Sequence, residues 1–191
     1  MKEIMNEKKT LHYYRTVNKD KVTDLELAEY STDLETWAEF AHRKNLFYQV
    51  TILDNNNQPF ANIVFNDCAI VEFLNKDHRK FLSYTFHIVD KKYFMDKVHY
   101  WEYIGDSMEY SKSVIVDELY LISPSGEIKT TVKNKSEDTW NVMEEKFTDI
   151  DVKFNWEPFP EFGQYENLAK MDRWPNDHPL KNILPKVIWE K

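Results

Sequence analysis

The sequence predicts an α+β fold, an antiparallel sheet of about six to eight strands with two or three helices packed on it. Three observations predict it. Residues 46–74 hold three apolar, β-rich runs separated only by short polar breaks. Alternating runs recur further on, while helical spacing is confined to short stretches around Trp37 and Trp140. The chain is 42% hydrophobic and 15% aromatic, enough to build a core and far from the composition of a disordered chain.

Residues 1–10 read as a mobile, basic tail, and His12–Val17 as a short first strand. Thr23-Asp24-Leu25-Glu26 and Thr32-Asp33-Leu34-Glu35 each fit a helix capping box, in which the Thr caps the third amide and the Glu reaches back. The second box opens the stronger helix, with Leu34, Trp37, Ala38 and Ala41 at helical spacing and Asn45 to close it. Residues 23–40 carry six carboxylates and no Lys or Arg, which reads first as a solvated face. In the meander, Tyr48, Val50 and Ile52 share a face. Asn55–Pro59 turns the chain, Phe60–Phe65 returns, and Asn66-Asp67 leads into a third run with Ala69, Val71 and Phe73 aligned.

Phe81–Val89 alternates again, and Tyr93–Ile104 carries large side chains at both parities, as expected of a strand covered on both sides. Val114–Ile122 and Glu127–Val132 form a hairpin through Ser123-Pro124-Ser125-Gly126. Ser136–Phe147 reads as a late helix, because Trp140, Met143 and Phe147 stand at i, i+3 and i+7. Val152, Phe154 and Trp156 then alternate as a last strand. Five of the seven prolines lie beyond residue 157, so residues 158–191 cannot run as a long helix or central strand. Their aromatics predict an irregular arm packed on a single domain spanning residues 11–157, with a short helix near Tyr165–Arg173.

With only Gly105, Gly126 and Gly163, the chain lacks the clustered glycines of phosphate loops and dinucleotide sites. The formal net charge of −8 points away from nucleic acid and towards a basic partner. Cys68 is the only cysteine, which excludes an internal disulfide and suits a reducing compartment. Residues 1–10 lack the apolar core of a signal peptide, and no apolar run reaches the ~20 residues of a membrane span, so a cytoplasmic protein is expected.

No catalytic motif stands out. Cys68 assisted by His87 or His99 is one candidate nucleophile, but an unpaired Cys opening an apolar run reads better as a small buried hydrophobe. Asp149 and Asp151, with Glu144 and Glu145, could pair carboxylates for acid–base work, yet nothing beside them would hold a substrate. No His, Cys, Asp or Glu pair has a familiar metal spacing, so neither metal nor cofactor is expected. Residues 137–166 are more informative, with nine acidic residues against Lys146 and Lys153, interleaved with seven aromatics. A solvated face is one reading. A recognition patch is the other, with carboxylates to steer a basic partner and aromatics to anchor it. The candidate contact residues are Glu144, Glu145, Asp149, Asp151 and Glu157, with Trp156 or Phe159 as the anchor.

Across residues 30–157 the layout resembles a large group of immunity proteins from bacterial polymorphic-toxin systems. The likeness rests on Trp37 in Leu34-Glu35-Thr36-Trp37, the meander from Phe47 to Phe73, the late helix Trp140–Phe147 and the closing strand Val152–Trp156. It implies a cytoplasmic, non-enzymatic protein that binds one cognate toxin, often a nuclease or nucleobase deaminase. The Ser123–Lys135 hairpin and the proline-rich arm depart from the usual compact pattern. The alternatives are a phage-encoded acidic inhibitor that mimics nucleic acid against a host defence enzyme, and a small enzyme using Cys68 or Asp149 and Asp151.

Overall fold

The computed structural model of the protein describes residues 11–15, 22–30, 33–107, 109–136 and 139–188. The tail expected at residues 1–10, and Thr32, lie outside them. The fold is α+β, built on one antiparallel meander in which each strand pairs with the next in sequence. The strands are β1 (Leu11–Arg15), β2 (Tyr48–Leu53), β3 (Pro59–Phe65), β4 (Cys68–Leu74), β5 (Lys80–Val89), β6 (Lys92–Tyr103), β7 (Val114–Ile122), β8 (Ile128–Ser136) and β9 (Thr139–Phe147). A two-residue β10 (Trp156–Glu157) pairs with the start of β6 beyond the reach of β7. Helices α1 (Asp24–Tyr30) and α2 (Leu34–Arg43) precede β2; the short α3 (Tyr110–Ser113) and α4 (Leu180–Ile183) lie later in the chain.

The alternation read from the sequence sets the inner face. A row of directly opposed residues crosses the sheet as Tyr13, Val50, Ile63, Val71, Tyr84, Val98, Tyr120, Thr130 and Glu145. The adjacent row runs Ile52, Ala61, Phe73, Leu82, Tyr100, Glu118, Val132 and Met143. Opposed residues point to the same side, so each row is one line on one face.

Helix α2 covers the β1–β2 end, burying Trp37, Ala38, Phe40 and Ala41, while Leu34 stays exposed. Its cap is Asp33, one residue later than the capping box predicts. The Asp33 carboxylate accepts from the Thr36 amide (2.9 Å) and hydroxyl (2.7 Å), placing full negative charge at the helix start. Asn45 follows the last turn at φ 51°, the left-handed conformation that ends helices. The first box is intact: the Thr23 amide donates to Glu26 and the Glu26 amide to Thr23 Oγ1.

The chain beyond β10 crosses the middle of the inner face, burying Tyr165, Leu168, Trp174, Leu180 and Leu184 in the same core as α2. Side chains tie it to the sheet and to itself. Tyr84 donates to the Met171 carbonyl at 2.7 Å, and Arg173 donates to the Asn167 carbonyl at 2.7 Å. The Arg173 guanidinium lies over the rings of Phe86 and Tyr84, 3.4 Å from the Glu157 carboxylate.

Three expected elements are corrected. Ser136–Phe147 is no helix: its residues form the end of β8 and all of β9. Thr139, Trp140, Val142 and Phe147 favour strand, and the open edge of β8 offers a continuous ladder that a lone helix lacks. Val152–Trp156 is mostly a 3₁₀ turn, Lys153–Asn155, before β10. That turn directs Asn155 inward, where it donates to the Met95 carbonyl (3.0 Å) and accepts from the Trp174 indole (3.3 Å). Tyr165–Arg173 forms successive turns rather than a helix, its shape taken from the sheet beneath.

Trp37→Ala should destabilise the protein by ~3–5 kcal/mol, the range for a large core aromatic. Urea titration against the exposed Glu39→Ala control measures this. Deleting residues 158–191 strips the cover from Phe65, Tyr84 and Phe86 and should abolish the cooperative melt and the near-ultraviolet dichroism.

Candidate functional site

The inner face changes character beyond β6. Along the Leu82–Met143 row, exposure climbs from 0% at Leu82 and 8% at Tyr100, through half-buried Glu118 and Val132, to 52% at Met143. In place of a covering element there are carboxylates. Glu102, Glu118 and Glu145 project from β6, β7 and β9 onto this face, with the phenols of Tyr100 and Tyr120 between them. Two strand-spaced pairs organise the group. Tyr100 donates to Glu102 at 2.7 Å, and Tyr120 donates to Glu118 at 2.5 Å.

The electrostatics follow from partial burial next to like charge. Burial pushes the Glu118 carboxyl above the usual range, Glu102 adds to the shift, and the Tyr120 hydrogen bond opposes it. Burial and the neighbouring carboxylates raise both phenols further from ionisation. Among the described residues no cation pairs with Glu102, Glu118 or Glu145. Three carboxylates over an apolar floor of Val132 and Met143 can accept a guanidinium or ammonium group whose aliphatic stem lies on that floor.

A second concavity, of about 330 Å³, lies at the α2 end between His42, Tyr48, Phe65, Tyr93, Phe159 and Pro160. His42 Nδ1 is 2.8 Å from the Tyr48 hydroxyl, which is 3.4 Å from that of Tyr165. Burial lowers the His42 pKa, so the ring is kept neutral, and burial pushes the Tyr93 phenol up to about 12. This chain ties the arm to α2 and β2.

Comparison with protein-family models, curated proteins and solved structures returned no match.

The seven residues expected to form one contact surface are divided. Glu144 and Glu145 alternate on β9, so Glu145 joins the inner acidic group and Glu144 faces the other way. Asp149 is exposed in the turn after β9, at φ 60°, and Asp151 pairs with Lys153 at 2.8 Å. Trp156 packs on Phe94, and the half-buried Glu157 belongs to the Arg173 clasp. Phe159, 43% exposed, packs at a tilt against Tyr93 at the rim of the aromatic cavity. Glu102, Glu118, Tyr100 and Tyr120 escaped sequence reasoning. Their signal is the spacing Tyr-x-Glu and Glu-x-Tyr, which aligns each pair on one side of its strand but does not show that the two strands adjoin.

Cys68 stands opposite His87 in the β4–β5 register, and His87 Nδ1 lies 2.7 Å from Asp96. Burial, Asp67 and Asp96 push the thiol up, the reverse of what activates a nucleophile. His99 instead bonds Asp117 (2.9 Å) and stacks on Trp101. Among the described residues, no three potential ligands converge on a metal position, and no helix is long and apolar enough to cross a membrane.

A carboxyl whose pKa folding raises binds more protons in the folded chain. Its stability cost is absent well below the unfolded value of about 4.3 and complete above the folded value. Glu118→Gln, which keeps an acceptor for Tyr120, should therefore raise the Tm at about pH 7 and leave it nearly unchanged at about pH 3.5. Paired thermal melts of variant and parent at the two pH values test this.

Proposed function

We propose that this protein is an immunity protein that neutralises a basic bacterial toxin by stoichiometric binding through the acidic, open end of its inner sheet face. The observation that carries the reading is the group of Glu102, Glu118 and Glu145, which no cation among the described residues neutralises and which is set around two tyrosines where the core has lost its cover. Leaving Glu118 half-buried beside Glu102 costs stability, and a cationic partner group repays that cost on docking. Nucleases and nucleobase deaminases hold phosphates with Lys and Arg, so an acidic surface competes for the same groove. In this reading the protein acts in the cytoplasm, contacts no nucleic acid directly and performs no chemistry of its own. Asp151 and Glu157 contribute less than their charge suggests, because Lys153 and Arg173 already engage them. Phe159 remains a separate apolar contact at the cavity rim.

The test is affinity capture from the native organism, identification of the bound protein, and binding kinetics at two salt concentrations. A toxin encoded beside this gene is the expected partner; a host defence enzyme would instead support a phage inhibitor. Glu102→Lys with Glu145→Lys should slow association by about tenfold or more and flatten its salt dependence. Glu144→Lys with Asp151→Lys, directed elsewhere, should have the smaller effect. Equal effects from both pairs would remove the inner face as the contact surface.

A further inference from the structure

Strand β9 ends the sheet, and among the described residues its edge lacks most of the usual safeguards. It pairs with β8 over its full nine residues without a register shift, and it contains neither proline nor glycine. Natural edges are blunted by bulges, prolines, brevity, charged side chains or a covering element, and of these β9 carries only charges, at Glu144, Glu145 and Lys146. The opposite edge strand, β1, has such cover, packing beside α2 with Tyr13 stacked on Phe162 of the arm. On β9, by contrast, Val142 is 56% exposed and Met143 is exposed on the other side. Apolar side chains thus emerge on both faces at the middle of an open ladder.

We infer that the β9 edge is a homodimer interface, in which two copies pair antiparallel about a two-fold axis at Met143 and merge their sheets into one. The strand's own sequence selects this register. Met143 is the midpoint of Thr139–Phe147, so centring there pairs every residue of the strand. On the inner face Met143 meets its symmetry mate and Glu145 meets Asn141 of the other copy. On the outer face Val142 lies against the aliphatic stem of Glu144, and Lys146 comes over the ring of Trp140. No like charges oppose each other. The neighbouring same-face register centred on Glu144 sets that carboxylate against itself, and the one centred on Val142 leaves Lys146 beyond the paired strand. A two-fold perpendicular to the sheet keeps inner face with inner face, as the even pairing requires. The inference is independent of any toxin, since it concerns the ladder edge rather than the acidic face.

The experiment is sedimentation of the full chain over a wide concentration range. The expected result is a dimer that dissociates on dilution. Val142→Glu, placed against Glu144 twice by symmetry, should weaken it by about tenfold or more, while Val142→Lys, placed against the same carboxylate, should keep or tighten it. Both side chains point to solvent in the monomer, and the circular dichroism spectrum checks that each variant is folded. In a Cys68→Ser background, Met143→Cys should oxidise to a covalent dimer and Asn141→Cys should not. A protein that stays monomeric at the highest concentration overturns the inference, even if Val142→Glu then impairs binding of a different protein. Equal weakening by the Glu and Lys substitutions overturns the register.

Discussion

Neighbouring strands lie about 4.8 Å apart, so a nine-strand meander presents a face roughly 38 Å wide. Helix α2, ten residues long, spans about 15 Å and packs chiefly on β1 and β2. That mismatch between the width of the sheet and the reach of its helix is the constraint on which the rest of the molecule depends. The segment after β10 covers the next strands, and beyond β6 the inner face stays buried only in part, at Tyr120, Ile122, Ile128 and Thr130 on β7 and β8.

The covering segment is irregular for a physical reason. Its prolines deny it a regular ladder, so its backbone bonds within its own turns and side chains tie it to the rest of the fold. Tyr84 reaches the Met171 carbonyl, Arg173 the Asn167 carbonyl, and Asn155 bridges the sheet to Trp174. The most demanding of these is Arg173, buried over Phe86 and Tyr84 with Glu157 as its counter-charge. A buried guanidinium is tolerated only when paired and bonded, so the Glu157–Arg173 contact fixes where the segment crosses the sheet. Glu157 is therefore an architectural residue, although its place in an acidic stretch suggests a surface one.

Beyond that cover, among the described residues, the inner face near Glu118 and Met143 is open to water. Each apolar row meets polar groups as it leaves the core: Tyr100 and Glu118 in one, Tyr120, Thr130 and Glu145 in the other. The phenols make the transition, with rings in the core and hydroxyls on carboxylates. An acidic face and a ladder edge thus meet on β9.

Local sequence determined the strand alternation, the turns at Asn55–Pro59 and Ser123–Gly126, the buried stripe around Trp37 and the surplus of negative charge. All of these depend on periods and turn conformations fixed within a few residues. At Gly126, φ is +82° and a Cβ would strike the Ile150 carbonyl, so turn chemistry and packing demand the same residue. Tertiary structure decided what such short-range rules leave open. Trp140, Met143 and Phe147 fit a helical stripe as well as a strand, and only the unfilled edge of β8 selects the strand. That selection sends Glu144 and Glu145 to opposite faces. It also brings Glu145 to Glu102 and Glu118, residues that lie far away in the chain and gather only because antiparallel pairing sets strands from distant segments side by side.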